Sequence, residues 1–573
     1  MPPRLKFPTT RPFSTARNLA SPLAVAEYAD LLRSTLKLAA AEKHQKLEIP
    51  KKIAIAVSGG IDSMALAHLS SGLKNSDSVF SSTEFVAMIV DHNLRPDSAE
   101  EADKVEGMME KLGIQSHRIN LNLTPEYIKR SKSKIESLAR KLRYKSFAMS
   151  CKEHKISHIL TGHHGNDQAE TLLMRLVKES GHKGLQGMTR VAKMPECEDV
   201  YGADKLSVLR PFLGVLKHRL KETLVKDNIT WFEDPTNADP KMTVRNSIRA
   251  LLTSPKSNEY LPESLSPRSL IALTERLAAQ QAKLNDEIDW FLSRCYLRHI
   301  RASGVIQAVI PSPLLRFPVE FIGRVLARFA EVISPMDRID MTQMIRVAQK
   351  VVGTTNPKNK EMRGYGGNTQ RLVTALTENN VYWESVHCGP FMDQPDGVML
   401  VCYRQPYSRD SKKSTLETDL DINEQNKWVS WDGRFWLRYK GDKDEAFWKR
   451  IIREKSRRVF ITGTRKEVML NLESQPVQFL WPTVKKDFGG LKKRLKLDAP
   501  GKSRTVLPVL CEESAKPATD SRFPYIVHGF PTFGVGGGLM GDWEWEPKKY
   551  LTVKGKVIGD TLVMGKQGEM VSI

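Results

Sequence analysis

The stretch Ile53-Ala54-Ile55-Ala56-Val57-Ser58-Gly59-Gly60-Ile61-Asp62-Ser63 decides the fold of this 573-residue chain. Five apolar residues running into a glycine pair read as a short buried strand. The two glycines let the backbone turn tightly and bring bare N–H groups against a phosphate. The segment that follows, Ser63-Met64-Ala65-Leu66, reads as a helix whose positive end points at the same spot. The spacing is not the GxxxxGK[ST] of the Walker loop. A plain Gly-Gly turn between a strand and a helix is the bland alternative.

Outward from this loop the pattern alternates. Strands are expected at 53–57, 85–90, 117–121 and 158–161, with helices at 99–112 and 133–154. Alternation of this kind predicts an α/β fold, a parallel sheet covered by helices on both faces. Ligands of such sheets sit at the carboxyl ends of the strands, where Ser58, Asp91 and Thr161 fall. Beyond 252 the signal changes. A Ser/Pro/Glu-rich linker covers 254–268, a long amphipathic helix is expected over 269–300, and 318–352 also reads as helical. Polar stretches at 353–368 and 407–426 read as a loop and a boundary. Short strand-like pieces follow at 436–439, 506–510 and 551–557. No internal repeat is present.

A chain of this length needs more than one core. Its net charge is +22, from 88 Lys+Arg against 66 Asp+Glu, spread along the whole sequence. A field of that size attracts polyanions, nucleic acid foremost, although a merely basic surface gives the same total. Cysteines stand at 151, 197, 295, 388, 402 and 511 with no CxxC pair, which excludes a zinc knuckle or a redox motif and suits unpaired thiols in a reducing compartment. No apolar run is long enough to span a bilayer, so no membrane role is expected. The first acid is Glu27, and Arg4, Lys6, Arg11 and Arg17 precede it among Ser, Thr and Pro. This is the composition of an organellar transit peptide over 1–30, or of a basic arm.

Several clusters carry chemistry. Val90-Asp91-His92-Asn93-Leu94-Arg95 ends the second strand, where a tip aspartate meets a nucleotide or simply caps a turn. Arg140 and Arg143 share one helix face and could neutralise departing phosphate, or form a solvated basic face. Thr161-Gly162-His163-His164-Gly165-Asn166-Asp167-Gln168-Ala169-Glu170-Thr171 follows a strand and opens a helix. If the helix includes His163, then His163, Asp167 and Glu170 share a face able to hold an ammonium group or Mg²⁺. Further along come the Gly-rich 181–188, Arg210-Pro211-Phe212-Leu213, Glu233-Asp234-Pro235-Thr236-Asn237 and Arg245-Asn246-Ser247-Ile248-Arg249. Near the C-terminus Trp481, Lys485, Lys486, Phe488, Lys492, Lys493, Arg494 and Lys496 mix rings with cations, a mixture suited to RNA.

The 58–63 loop resembles the SGGxDS PP-loop of ATP pyrophosphatases, which cut ATP between its α and β phosphates. The order of the clusters at 58–63, 91–95, 139–144, 163–171, 210–213, 233–237 and 245–249 resembles the tRNA(Ile)-lysidine synthetase family over about 50–250. Trp431-Asp432-Gly433-Arg434-Phe435 and Leu507-Pro508-Val509-Leu510 are similar to pieces of its C-terminal part. The resemblance implies a PP-loop ATP-binding catalytic domain at 48–253, a mainly helical middle domain at 266–400 and a tRNA-binding domain, α+β or β-rich, at 427–573. It implies ligation of free L-lysine to C2 of the wobble cytidine, position 34, of a CAU-anticodon tRNA(Ile), through an adenylated cytidine and with ATP and Mg²⁺ as cofactors. By this resemblance Ser58, Gly59, Gly60, Ile61, Asp62, Ser63 and Arg143 bind ATP, and Asp62 also contributes to a metal or lysine site. His163, Asp167 and Glu170 join Asp62 as catalytic residues, and Arg245, Arg249, Lys492, Lys493 and Arg494 meet tRNA. A homodimer is one assembly open to the chain, and the leader points to the mitochondrial matrix, with plastid or cytoplasm as alternatives. The chain departs from the family at Asn166, where a second acid is expected before Asp167. Three rival readings are a tRNA-thiolating PP-loop enzyme, which needs a catalytic or cluster-binding cysteine, a small-molecule synthetase such as an amidotransferase partner, which would not explain the +22 charge or the long C-terminal half, and a basic RNA-binding protein with an inactive ATP site.

Overall fold

The computed structural model describes residues 21–43, 45–91, 98–121, 135–177, 182–232, 244–253, 262–336, 339–353, 371–376, 380–388, 396–405, 418–419, 427–439, 459–463, 494–495, 497–499, 507–513, 525–533, 535–536, 543–560 and 563–564. The chain divides into two compact units, Met1–Lys283 and Leu284–Ile573.

The first unit runs α1 (Val25–Glu42), β1 (Lys52–Val57), α2 (Ile61–Ser76), β2 (Glu84–Asp91), α3 (Ser98–Lys111), β3 (Gln115–Asn120), α4 (Ile135–Glu153), β4 (His158–Leu160), α5 (Gly165–Val177), α6 (His182–Leu185), β5 (Val191–Lys193), β6 (Ser207–Leu209), α7 (Lys217–Lys226) and α8 (Val244–Thr253), and the division falls within α9 (Pro267–Leu292). Its sheet has the order β3-β2-β1-β4-β6-β5. The first five strands are parallel and β5 adds an antiparallel edge. The expected α/β sheet is therefore present.

The alternation within β1 explains its two-sided cover. Ile53, Ile55 and Val57 face one core together with Tyr28, Leu32, Met64, Leu66 and Val105 from α1, α2 and α3. Ala54 faces the other core, where its small side chain leaves room for Tyr144, Phe147 and Ala148 of α4. β2 repeats the pattern, with Phe85, Ala87 and Ile89 on one side and Val86 and Met88 on the other. Helix α1 carries no motif, yet it supplies Leu32 and Leu36 to the core. Of the leader expected over 1–30, residues 1–20 lie outside the described residues. Within 21–30, Leu23 and Tyr28 are buried, and Tyr28 Oη lies 2.7 Å from Ser70 Oγ of α2.

The second unit begins with β7 (Tyr296–Ile300), β8 (Val305–Pro311), α10 (Val319–Ile333), α11 (Met341–Gly353), β9 (Arg371–Leu376), β10 (Val381–Cys388) and β11 (Gly397–Arg404). The remaining strands are β12 (Thr418–Asp419), β13 (Trp428–Trp431), β14 (Phe435–Tyr439), β15 (Val459–Gly463), β16 (Pro508–Glu513), β17 (Tyr525–Phe530), β18 (Val535–Gly536), β19 (Trp543–Pro547), β20 (Thr552–Val553), β21 (Lys556–Val557) and β22 (Val563–Met564). An antiparallel sheet of order β22-β7-β8-β11-β10-β9 packs against α10 and α11 through Ile306, Ile310, Leu400, Leu326, Phe329 and Met344. The helix expected over 269–300 stops at Leu292, and its tail becomes β7, where Leu297 and His299 alternate inward. The single helix expected over 318–352 is two, because Pro335 cannot continue α10 and biases Ser334 toward extended backbone. The strand expected at 551–557 is a hairpin, turned by Lys554 and Gly555, both at positive φ. Among the described residues no helix is long and apolar enough to cross a membrane.

Candidate active site

β1 and β4 are neighbours, with β2 beyond one and β6 beyond the other. Strand order reverses between them, which opens a crevice at their carboxyl ends. The segments leaving these strands, 58–63 and 161–164, meet there. A Cβ on Gly162 would fall 2.8 Å from the carbonyl carbon and oxygen of Asp62, so only glycine lets the two segments lie this close.

The first segment is held by its own serines. Ser63 Oγ donates to the Gly60 carbonyl at 3.0 Å and accepts the Ser58 N–H at 3.2 Å. Gly59 has φ +79°, and a Cβ there would meet Val105 and Phe232 within 2.9 Å. Gly60 is different, since a Cβ there would find nothing nearer than 3.9 Å. Protein packing does not explain this glycine, whereas close approach of a ligand does. Gly60 also starts α2, and no side chain caps that helix, which leaves its first N–H groups to a ligand or water. Asp62 in the first turn points its Oδ1 at His164 Nε2, 3.3 Å away, and its Oδ2 at Lys217 Nζ, 3.6 Å away.

The second segment opens α5 at Gly165, two residues later than a helix holding His163 requires. His163 therefore leaves the face of Asp167, and its Nδ1 lies 2.9 Å from Thr161 Oγ1. Burial pushes its pKa down to about 4, and the charges of Arg210, Arg245 and Arg140 act the same way against Asp167. His163 is neutral at physiological pH. The imidazole that joins the carboxylates is His164, which is 3% exposed. Burial works against its charge, but Asp167 and Asp62 outweigh that and raise its pKa. Asp167 Oδ2 accepts the His164 N–H at 3.1 Å, and the Asp167 N–H donates to His164 Nδ1 at 3.4 Å. This is a reciprocal helix cap with histidine in the capping position. Burial would raise the Asp167 pKa, yet His164, His163 and Arg245 bring it below the ordinary carboxylate value.

Glu170, one turn further, is buried beneath α8. Arg249 Nε donates to Glu170 Oε1 at 2.8 Å and Arg245 Nε to Oε2 at 2.9 Å, while Arg245 Nη2 reaches Asp167 Oδ1 at 3.2 Å. The arginines expected to meet tRNA thus bind the carboxylates expected to hold an amine. Asn166 Oδ1 accepts the Lys217 N–H at 3.0 Å and faces α7.

Other expected residues have partners of their own. Arg143 sits on α4 with its guanidinium 5.9 Å from the Tyr144 ring centre, and Arg140 pairs with Glu196 at 3.1 Å. Asp91 is engaged by Arg118 at 2.8 Å. Arg494 belongs to the second unit and donates to the Phe533 carbonyl at 2.8 Å. Lys492, Lys493 and the segments 92–95 and 233–237 lie outside the described residues. The sequence reading passed over His164 and Lys217. The His-x-x-Asp spacing of a helix cap was the available signal for the first, and only the fold brings the second to Asp62.

Among the described residues no group of three or more His, Cys, Asp or Glu side chains could hold a metal ion. The described free cysteines Cys151, Cys197, Cys295 and Cys402 are buried, and burial pushes the thiols of Cys151 and Cys197 up to about 12. Such thiols are poor nucleophiles.

A family model described as a PP-loop domain matches residues 32–255. The chain is 27% identical over 497 residues to a protein of Schizosaccharomyces pombe named "Probable tRNA(Ile)-lysidine synthase", covering 84% of this chain and 91% of that one. It is 30% identical over 324 residues to the tRNA(Ile)-lysidine synthase of Zymomonas mobilis, covering 56% and 88%. With that of Novosphingobium aromaticivorans the identity is 33% over 253 residues, covering 44% and 68%.

Proposed function

The chain belongs to the tRNA(Ile)-lysidine synthase family and is a ligase with a PP-loop ATP-binding domain; from there we propose that it joins free lysine to C2 of the wobble cytidine of a CAU-anticodon tRNA(Ile). The observation that carries this reading is the contact of the phosphate loop with the acidic start of α5, through Asp62, His164 and Asp167.

The chemistry has two steps. Cytosine O2 attacks the ATP α-phosphorus, forming an O–P bond as the bond to pyrophosphate breaks. The lysine amine then attacks C2, and the C2–O bond breaks to release AMP. The open side of Gly60 and the uncapped start of α2 suit the triphosphate. Arg210, Arg245 and Arg140 surround His163 with positive charge, which suits the phosphate charge that develops as pyrophosphate leaves. Asp62 and Asp167 are the carboxylates proposed to receive the lysine ammonium, and Glu170 acts by fixing Arg245 and Arg249. The attacking amine must be neutral, so a group in this cluster has to take its proton. Mg²⁺ would neutralise the triphosphate. It would be held chiefly by the phosphates, with Asp62 as the loop's own carboxylate.

The +22 charge supports a tRNA partner bound in a salt-dependent way. The basic composition before Glu27 supports delivery to the mitochondrial matrix. A homodimer remains part of the proposal. ATP–pyrophosphate exchange tests the reading. Exchange should require the CAU tRNA but not lysine, and Asp62→Ala should abolish it. Exchange that runs without tRNA, or at full rate in Asp62→Ala, overturns the assignment.

A further inference from the structure

We infer that His164 is a positioning residue that couples the phosphate loop to the acid-bearing helix, with a separate task for each ring nitrogen. The inference deepens the proposed reaction and rests on that reading. Nδ1 belongs to the helix. It accepts the Asp167 N–H at 3.4 Å, while Asp167 Oδ2 accepts the His164 N–H. In the neutral ring, accepting a hydrogen at Nδ1 places the ring hydrogen on Nε2, and in the charged ring that Asp62 and Asp167 favour Nε2 carries a hydrogen as well. Nε2 lies 3.3 Å from Asp62 Oδ1, a close charge contact rather than an aligned hydrogen bond, since that buried oxygen has no hydrogen-bond partner.

Three features make this more than a helix cap. The ring is 3% exposed and has little freedom to turn. The Gly162 backbone lies close against the Asp62 carbonyl, so the two loops are also packed main chain to main chain. Asp62 has a second neighbour, Lys217 Nζ at 3.6 Å, whose side chain is 45% exposed and whose pull competes for the carboxylate. Without the Nε2 contact, Asp62 would swing toward Lys217 and leave the crevice shared with Asp167.

The two tasks separate by substitution. Asn keeps a short acceptor near Nδ1 and is among the best capping residues, but it cannot reach Asp62. Gln places an amide N–H near the position of Nε2 and gives up the short cap. In His164→Asn the melting temperature should stay within about 2 °C of wild type, while kcat for tRNA-dependent ATP–pyrophosphate exchange falls at least about tenfold and KM for tRNA is unchanged. In His164→Gln the order reverses, with a lower melting temperature and most of kcat retained. The inference is overturned if His164→Asn exchanges at the wild-type rate, or if kcat in both variants simply follows melting temperature. Wild-type protein that shows no tRNA-dependent exchange would instead overturn the proposed reaction itself, so the two failures are distinct.

Discussion

Asn166 stands where the family resemblance expects an acid, and its amide oxygen accepts the backbone N–H of Lys217, the first residue of α7. A carboxylate accepts the same bond and sits well at a helix N-terminus. The substitution is therefore absorbed by packing. Asn166→Asp should leave the exchange rate within about threefold and the melting temperature nearly unchanged. A tenfold gain that depends on added Mg²⁺ would show instead that position 166 is a missing metal ligand. Spacing placed Asp167 and Glu170, three apart, on one face of a helix, and the structure has both on α5. The spacing reads His163 as the imidazole of that face, whereas the ring in contact with Asp62 and Asp167 is that of His164. Which of two adjacent histidines meets Asp167 depends on where α5 starts, and the start at Gly165 makes His164 the capping residue.

At the scale of elements, α8 is fastened to α5 by apolar contacts, with Leu252 against Ala169 and Leu172, and by the arginines on Glu170. The Glu170 side chain is 3% exposed, so its charge needs a partner. Arg249→Ala leaves Arg245 as one partner and should destabilise the protein by about 1–3 kcal/mol in chemical denaturation. tRNA affinity should fall with the stability, while its salt dependence stays the same. An unchanged denaturation midpoint with a shallower salt slope would mean that Arg249 meets a tRNA phosphate. The strong periodic elements were legible in the sequence, as the agreement of 133–154 with Ile135–Glu153 illustrates. The division of 318–352 was written in Pro335 and was overlooked. Strands β5 and β6 are three residues each, too short to show a period, and they exist because β4 and β6 pair.

Over the whole molecule, buried histidines set the response to acid. Burial brings His158, His163 and His299 from 6.5 to about 4, with nearby cations adding to the effect. Each is neutral in the fold and takes up a proton on unfolding below about 6.5, so stability should fall as pH drops from there toward 4. His164 has the opposite sign. Its raised pKa contributes stability below 6.5 that is lost as pH rises through the folded value. Three groups outnumber one, and calorimetry should find a lower melting temperature at pH 5 than at pH 7. His299 is 2% exposed and its Nδ1 has no hydrogen-bond partner, so His299→Leu should flatten the decline. An undiminished slope in that variant would remove His299 from the account. The sequence by itself determined the parallel α/β unit, the phosphate loop after β1 and the family, because apolar period, glycine freedom and local spacing act over a few residues. Only the tertiary structure decided that Lys217 and His164 share Asp62, that Arg245 and Arg249 close over Glu170, and that α1 completes the core. The Asp62–Lys217 pair joins residues 155 positions apart and the Tyr28–Phe212 ring contact residues 184 apart, and strand order, which no local pattern encodes, is what brings them together.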